Sequence, residues 1–254
     1  MVDVCSGGGG PIHECQTRLA RHGVDVDFIL TDLYPNIGAF RRISLENPRI
    51  SYVSEPVDAT NCRIEGFRTM FACFHHFPPG LVKKMIWDAI EKNQGIAVFE
   101  CTKNSPITCL LYLVALPVLT LVCTPFLKVP FSIGRFFWTY IIPVVPFVIT
   151  FDGLVSNLRT YSLDELRSLV EEIDTEKRFR WRIREKPFVS FLPYVTVTSL
   201  VGTPKLGNIV PKARLRSNVG VIGAEIYSTD DAFTRSSSSR RLSGTASSSH
   251  YRPL

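Results

Sequence analysis

Short apolar runs alternate with amphipathic segments over the first hundred residues of this 254-residue chain. Runs bounded by Gly, Pro, Asn or Asp are typical of strands, whereas apolar residues at helical spacing indicate helices. The predicted strands are 2–5, 24–33, 50–59, 67–77 and 95–102, and the predicted helices are 12–22 and 78–93. Strands that alternate with helices in this way predict a parallel sheet.

An apolar insertion then interrupts the pattern. Residues 104–127 carry no charge, and residues 136–151 are again uncharged. A helix predicted over 161–173 follows, where Ser162 and Glu165 have the spacing of a capping box. Two further runs, 179–189 and 192–202, read as closing strands. The whole predicts an α/β fold: a Rossmann-like, doubly wound, mostly parallel sheet with an antiparallel closing strand.

The pattern divides the chain into four segments. They are the first part of the α/β domain (1–104), the apolar insertion (105–151), the rest of that domain (152–227) and a Ser- and Arg-rich tail (228–254). Because the tail has little apolar content, we predict that it is disordered.

The insertion is long enough for a membrane, because a spanning helix needs about 20 apolar residues. Its flanks belong to one sheet, so the chain must cross twice, dip in as a hairpin or lie flat in the interface. Pro117, Pro143 and Pro146 favour a kinked hairpin or an interfacial lid, with 128–135 as its turn, on a membrane-associated protein whose α/β domain is cytoplasmic. A buried core helix is the alternative.

Four glycines follow the first strand in "VDVCSGGGGP", residues 2–11. Glycines between a strand and a helix let a ligand approach the backbone closely. No Gly-Lys-Ser/Thr follows them, which excludes a Walker A loop. In a dinucleotide fingerprint the third glycine would fall on Ile12 or His13, so that pattern also fails. S-adenosylmethionine (SAM) has no phosphates and needs only the glycine turn, an acid for the ribose hydroxyls and a polar group for adenine.

Acids follow the next two strands. Asp32 ends the second strand, where a carboxylate can accept both ribose hydroxyls, and Asp58 ends the third, where it can accept the adenine amino group. Ligands bind at this carboxyl edge in open α/β sheets. The alternative for each acid is a loop residue that caps a helix.

The stretches "DVCSGGGGP", "LTDLYPN", "VDA" and "FHHFPP" resemble motifs of class I SAM-dependent methyltransferases, well over residues 2–101 and loosely over 152–202. "DGLVSNLRTYSLDEL" resembles a membrane-linked branch of that family. The resemblance implies SAM as the cofactor. The residues it implies for cofactor binding are Cys5, Ser6, Gly7 and Gly8 for the methionine part, Asp32 with Leu33 for ribose, Asp58 with Ala59 for adenine, and Phe74 beside the methyl group.

His75 and His76 are the candidate general bases, because histidine titrates near neutral pH. The alternative is that one ring packs inside and the other lies in a loop. Cys73 beside them lacks a fourth ligand at zinc-like spacing, so we expect no metal site.

The chain has a net charge of +6, and one segment shows a regular pattern of basic residues. In 177–186, arginines alternate with Phe179, Trp181 and Ile183. This pattern is typical of a half-solvated edge strand, or of a strand that contacts anionic lipid headgroups. We expect no nucleic-acid partner, because no aromatic platform accompanies the arginines.

The sequence therefore predicts a SAM-dependent methyltransferase for a small, lipophilic acceptor at a membrane. Two alternatives stay open: a non-catalytic relative that binds SAM or keeps only the fold, and a nicotinamide-dependent oxidoreductase. The chain starts just before the glycines, so we expect either a truncated sequence or an unusually open pocket.

Overall fold

A computed structural model describes residues 1–127, 131–189 and 192–205. The strands are β1 (Val2–Asp3), β2 (Phe28–Leu30), β3 (Ile50–Tyr52), β4 (Arg68–Phe71), β5 (Ile96–Glu100), β6 (Phe179–Val189) and β7 (Leu192–Pro204). They form one sheet in the order β3-β2-β1-β4-β5-β7-β6. β7 runs antiparallel to β5 and β6, and the other neighbours are parallel. This sheet confirms the predicted fold class.

The described residues form seven α-helices. They are α1 (Ile12–Arg21), α2 (Ile37–Glu46), α3 (Pro79–Glu91), α4 (Pro106–Cys123), α5 (Ile133–Phe136), α6 (Val144–Arg159) and α7 (Leu163–Ile173). The capping box predicted at Ser162 and Glu165 begins α7. Helix α2 was not predicted from the sequence. Asn36 marks its start, because the Asn36 side chain accepts a hydrogen bond from the Ala39 amide.

The predicted second, third and fourth strands are too long. Segment 24–33 contributes only Phe28–Leu30 to the sheet, and segment 67–77 only Arg68–Phe71. After Phe71 the chain turns into a single 3-10 turn, Phe74–His76. After β4 the Phe74 amide donates to the Glu100 carboxylate and not to a neighbouring strand, so the apolar run continues beyond the end of the strand.

Two apolar clusters flank the sheet. The larger cluster lies among β4, β5, α3 and α7 and includes Met70, Ile86 and Leu169. The smaller lies under α1 and α2 and includes Ile12 and Phe40. Together they fix the strand ends that carry the candidate site.

Helices α4 to α6, with the π-helical turn Phe137–Ile141, form an arm that we call the apolar hairpin. Gly153 allows α4 and α6 to pack closely, since a Cβ at this position would lie 2.5 Å from a Leu116 methyl group. At the far end the Tyr140 hydroxyl donates to the Leu121 carbonyl at 2.7 Å. The division predicted between 151 and 152 falls inside α6.

The apolar hairpin is largely exposed. Only Thr108 is buried in α4, so the buried core helix considered above is not what the structure contains. Among the described residues, one helix, Pro106–Phe126, is long and apolar enough to cross a membrane. Ile133–Ile141 and Val144–Arg159 would form a second span only if taken together, and they meet at a 72° bend. The predicted turn (128–135) and the predicted disordered tail (228–254) lie wholly or partly outside the described residues.

Candidate functional site

Residues 5–10 form a turn, the glycine turn, at the carboxyl end of β1. The Ser6 hydroxyl donates to the Asp3 carbonyl at 2.9 Å and accepts from the Thr31 amide at 3.1 Å. Ser6 is therefore buried and holds the turn against β2 rather than offering its hydroxyl to a ligand.

The glycines divide into two kinds. A Cβ at Gly7 or Gly8 would meet nothing within 4 Å, so bare backbone faces open space there. A Cβ at Gly9 would lie 2.1 Å from the Ile43 side chain, and its φ of +95° also favours glycine. Gly9 therefore serves the packing of α2, whereas Gly7 and Gly8 leave room for a ligand. Cys5 in the same turn has a φ of +61°, which is a strained conformation for a residue other than glycine.

Asp32 faces the glycine turn. Its Oδ2 accepts the Gly7 amide at 2.8 Å, and its Oδ1 accepts the Tyr34 amide at 2.9 Å. A carboxylate offers about four lone-pair positions, so two remain on a half-buried side chain. Asp32 and the glycine turn, which were both predicted to bind SAM, thus lie together in the structure. Leu33, predicted beside Asp32, is exposed.

Asp58 caps the 3-10 turn Ala59–Asn61. Its Oδ1 accepts the Thr60 amide and the Thr60 hydroxyl, both at 2.8 Å. The capping role weighed above is therefore present, and Oδ2 remains for a ligand on this exposed side chain. Ala59 is buried.

Phe74 requires a correction. Its ring is 1% exposed and belongs to the larger core cluster, so the side chain offers no surface to a cofactor. The cause is the 3-10 turn after β4, which directs Phe74 inward.

Glu100, which the sequence analysis missed, holds that turn. One carboxylate oxygen accepts the Phe74 amide at 2.7 Å, and the other lies 2.5 Å from Nδ1 of His75. Both Glu100 and His75 are buried. The signal was an acid at the end of a buried strand, in "GIAVFE".

His76 is exposed, and its ring centroid lies 4.2 Å from that of His75. Burial on one side and the neighbouring His75 lower the pKa of His76 below 6.5. Two charged residues of α6 also shift this pKa: Asp152 raises it and Arg159 lowers it. The α6 arm of the apolar hairpin therefore lies beside this histidine.

Polar bonds fix the base of the hairpin to the sheet. The Thr102 and Thr160 hydroxyls share a 2.5 Å hydrogen bond, and the Lys103 amide donates to Asn157 at 3.0 Å. The Tyr161 hydroxyl donates to the Phe77 carbonyl at 2.8 Å, next to His76. These contacts join both hairpin arms to the carboxyl edge of the sheet.

Asp3 lies beneath the glycine turn and was also missed. The Thr69 hydroxyl donates to its Oδ1 at 2.8 Å. Burial raises the pKa of Asp3 to about 7. A hydrogen bond with Cys5, together with burial, raises the pKa of the Cys73 thiol.

A cleft of about 650 Å³ lies elsewhere, between α7 and β6, where Arg167, Asp174 and Trp181 line it. None of the predicted site residues borders it, so we place the candidate site at the glycine turn on its chemistry. Within the described ranges, no group of three or more His, Cys, Asp or Glu side chains could hold a metal ion.

No protein-family model and no curated protein matches the sequence. Several solved structures are similar in fold. The methyltransferase domain of bacterial CtHen1 is 10% identical, with 80% of this chain and 88% of that chain covered and a TM-score of 0.46. The O-methyltransferase NcsB1 from neocarzinostatin biosynthesis, in complex with SAM and 2-hydroxy-5-methyl naphthoic acid, is 15% identical, with 80% and 48% covered and a TM-score of 0.44.

A pericyclic reaction enzyme is 13% identical, with 80% of this chain and 42% of that chain covered and a TM-score of 0.43. The chain thus spans less than half the length of NcsB1 and of this enzyme. At TM-scores this low, none of these likenesses bears on what the chain binds or does.

Proposed function

We propose that the chain is a SAM-dependent methyltransferase that acts on a small, lipophilic acceptor at a membrane surface. One observation carries the proposal: Asp32 closes onto the amide of Gly7, where the backbone of Gly7 and Gly8 faces open space. A nucleoside with a diol fits there, with its sugar on the remaining lone pairs of Asp32 and its methionine part along the glycines.

Two features favour SAM over a dinucleotide. The turn has no lysine to hold a phosphate. The position of the third fingerprint glycine is taken by Ile12, which is fully buried and belongs to the core under α2. In a dinucleotide fingerprint the third glycine lets the helix pack closely on the strand, and here the side chain of Ile12 takes up that space. Both features disfavour the nicotinamide-dependent oxidoreductase.

Bound at the turn, SAM would supply an electrophilic methyl group on a sulfonium. The chain's part is to align the acceptor, to exclude water and to remove the acceptor's proton. His76 is the better placed base, because it is exposed and its lowered pKa keeps it neutral near pH 7. His75, held by Glu100, is a positioning residue that fixes the turn.

The apolar hairpin is the proposed membrane element. Its base is bonded to the strand ends beside His76, so an acceptor dissolved in lipid would reach the site along it. Thirty large apolar side chains are exposed in the described residues, and most of them lie on the hairpin. Water-exposed apolar area of this size is typical of membrane or protein contacts.

Titration calorimetry with SAM, with its demethylated product and with NAD tests the cofactor. A methyl-transfer assay with labelled SAM and a lipid extract tests the reaction. We expect SAM binding, label in the lipid fraction and no heat from NAD. SAM binding without transfer to any lipid fraction would favour the non-catalytic relative, and the absence of SAM binding would overturn the proposal.

A further inference from the structure

The two closing strands, which we call the ribbon, extend past the end of the sheet. Glu100, the last residue of β5, pairs with Thr198 of β7, which in turn pairs with Glu185 of β6. Beyond this level the two strands continue alone to the pair Val189 and Leu192. The six steps along the chain from Leu192 to Thr198 span about 20 Å at about 3.3 Å per residue.

This overshoot occurs at the carboxyl edge, where the apolar hairpin also leaves the sheet. The ion pair between Lys103 and Glu185 joins the two, because Lys103 precedes α4 and Glu185 belongs to β6. The same pair neutralises the acid at this level of the ribbon. The apolar hairpin and the ribbon therefore project from the same edge of the sheet.

One face of β6 is basic. Arg180, Arg182, Arg184 and Lys186 alternate along the strand and are exposed. The residues between them face the core, since Phe179 is buried and Trp181 and Ile183 are half-buried. Within the described ranges, none of these four cations takes part in an ion pair of 4.0 Å or less.

The charge changes along the ribbon. The cations lie from the sheet up to Lys186, and residues 187–202, "PFVSFLPYVTVTSLVG", carry no charge. Cations along β6 that are followed in the sequence by an uncharged run match the order of layers in a bilayer, with anionic headgroups outside and apolar chains within. Basic residues near such a surface each contribute about 1 kcal/mol.

We propose that the ribbon is a second membrane contact, which binds anionic phospholipid headgroups through Arg182, Arg184 and Lys186 beside the apolar hairpin. This inference rests on the membrane placement in the proposed function. Charges on an edge strand also prevent pairing with other sheets. That role explains the arginines, but it does not explain the overshoot or its uncharged end.

The test compares vesicles of phosphatidylcholine alone with vesicles that also contain phosphatidylserine. In the full chain, the triple variant Arg182→Gln, Arg184→Gln, Lys186→Gln should lose about fivefold in affinity per residue, or about 100-fold in all, for the anionic vesicles only. Added salt should remove the difference between variant and parent.

A matched variant removes three exposed cations that lie on α2 and α3 and not on the ribbon: Arg41→Gln, Arg42→Gln and Lys84→Gln. It should bind both kinds of vesicle as the parent does, and thermal melting checks that both variants fold. If the ribbon variant keeps the parent's preference for phosphatidylserine, the inference is wrong while the proposed function stands. If the ribbon variant instead loses affinity for a labelled oligonucleotide, the inference is also wrong. If the parent binds neither vesicle, the membrane placement fails with it, whereas SAM binding still reports on the cofactor site.

Discussion

The Gly7 amide donates a 2.8 Å hydrogen bond to Oδ2 of Asp32. This bond joins the turn after β1 to the end of β2, twenty-five residues later in the chain. It places an acidic acceptor beside backbone that has no side chain to cover it. The proposed SAM site depends on this pairing.

Substitution of the glycines should separate ligand binding from folding. Gly8→Ala adds a methyl group that meets no protein atom within 4 Å, so we expect unchanged thermal stability and weakened SAM binding. Gly9→Ala places a Cβ 2.1 Å from Ile43 and should destabilise the fold by about 1–3 kcal/mol. Melting curves and calorimetry on both variants check this, and equal loss of stability in the two would contradict it.

Stability should depend on pH through Asp3. The pKa of Asp3 is raised by burial to about 7 in the folded protein, against its ordinary 3.8. The stabilising effect of the protonated form is therefore complete below about pH 3.8 and is lost as the pH rises towards 7. At 1.36 kcal/mol per pH unit, ionising the buried acid costs at most about 4 kcal/mol.

Asp3→Asn should remove this pH dependence, because asparagine still accepts from Thr69 and never ionises. Chemical denaturation at pH values near 3.8 and near 7 measures the difference. Glu55→Gln, an exposed acid, is the control. If the parent and Asp3→Asn lose stability in parallel over that range, Asp3 is not the source.

The two histidines should behave differently. His76→Gln should lower kcat by about 10²- to 10⁴-fold without changing the Kd for SAM, because it removes only the base. The acid limb of the parent's rate–pH profile should lie below pH 6.5 and should vanish in this variant. His75→Gln should instead lower the melting temperature, since it breaks the contact with Glu100. A profile unchanged in His76→Gln would exclude His76 as the base.

The apolar hairpin should anchor the chain. Leu113 and Val118 are exposed in the folded chain, so Leu113→Asp and Val118→Asp should leave thermal stability intact. Each should nevertheless oppose insertion by about 3 kcal/mol and release the protein from vesicles in flotation assays. Leu45→Asp is the matched control, since Leu45 is also exposed but lies on α2. These assays use vesicles of phosphatidylcholine alone, to which the cations of the ribbon are not expected to bind. Removal of residues 106–150 should also free the protein, and a deleted form that still floats with these vesicles would contradict the anchor.

The sheet, the glycine turn and the closing strands could be predicted because each is a local pattern. The segment 179–189, for example, begins with an alternation of aromatic or apolar residues and arginines, and it becomes β6 with the predicted bounds. The pairing of His75 with Glu100 could not be predicted, because it depends on two strand ends that meet only in the sheet. Strand length was wrong for a similar reason: how far a strand extends is decided by its neighbours. The inward position of Phe74 likewise follows from a turn that Glu100 holds.

Calorimetry of SAM binding to the parent and to Asp32→Ala tests the central claim most directly. Hydrogen bonds to a charged group contribute about 1.5–3 kcal/mol each, so loss of two ribose contacts should weaken binding at least 100-fold. Glu55→Ala, an exposed acid nearby in the sequence, should bind as the parent does. Equal SAM affinity in the parent and in Asp32→Ala would contradict the account.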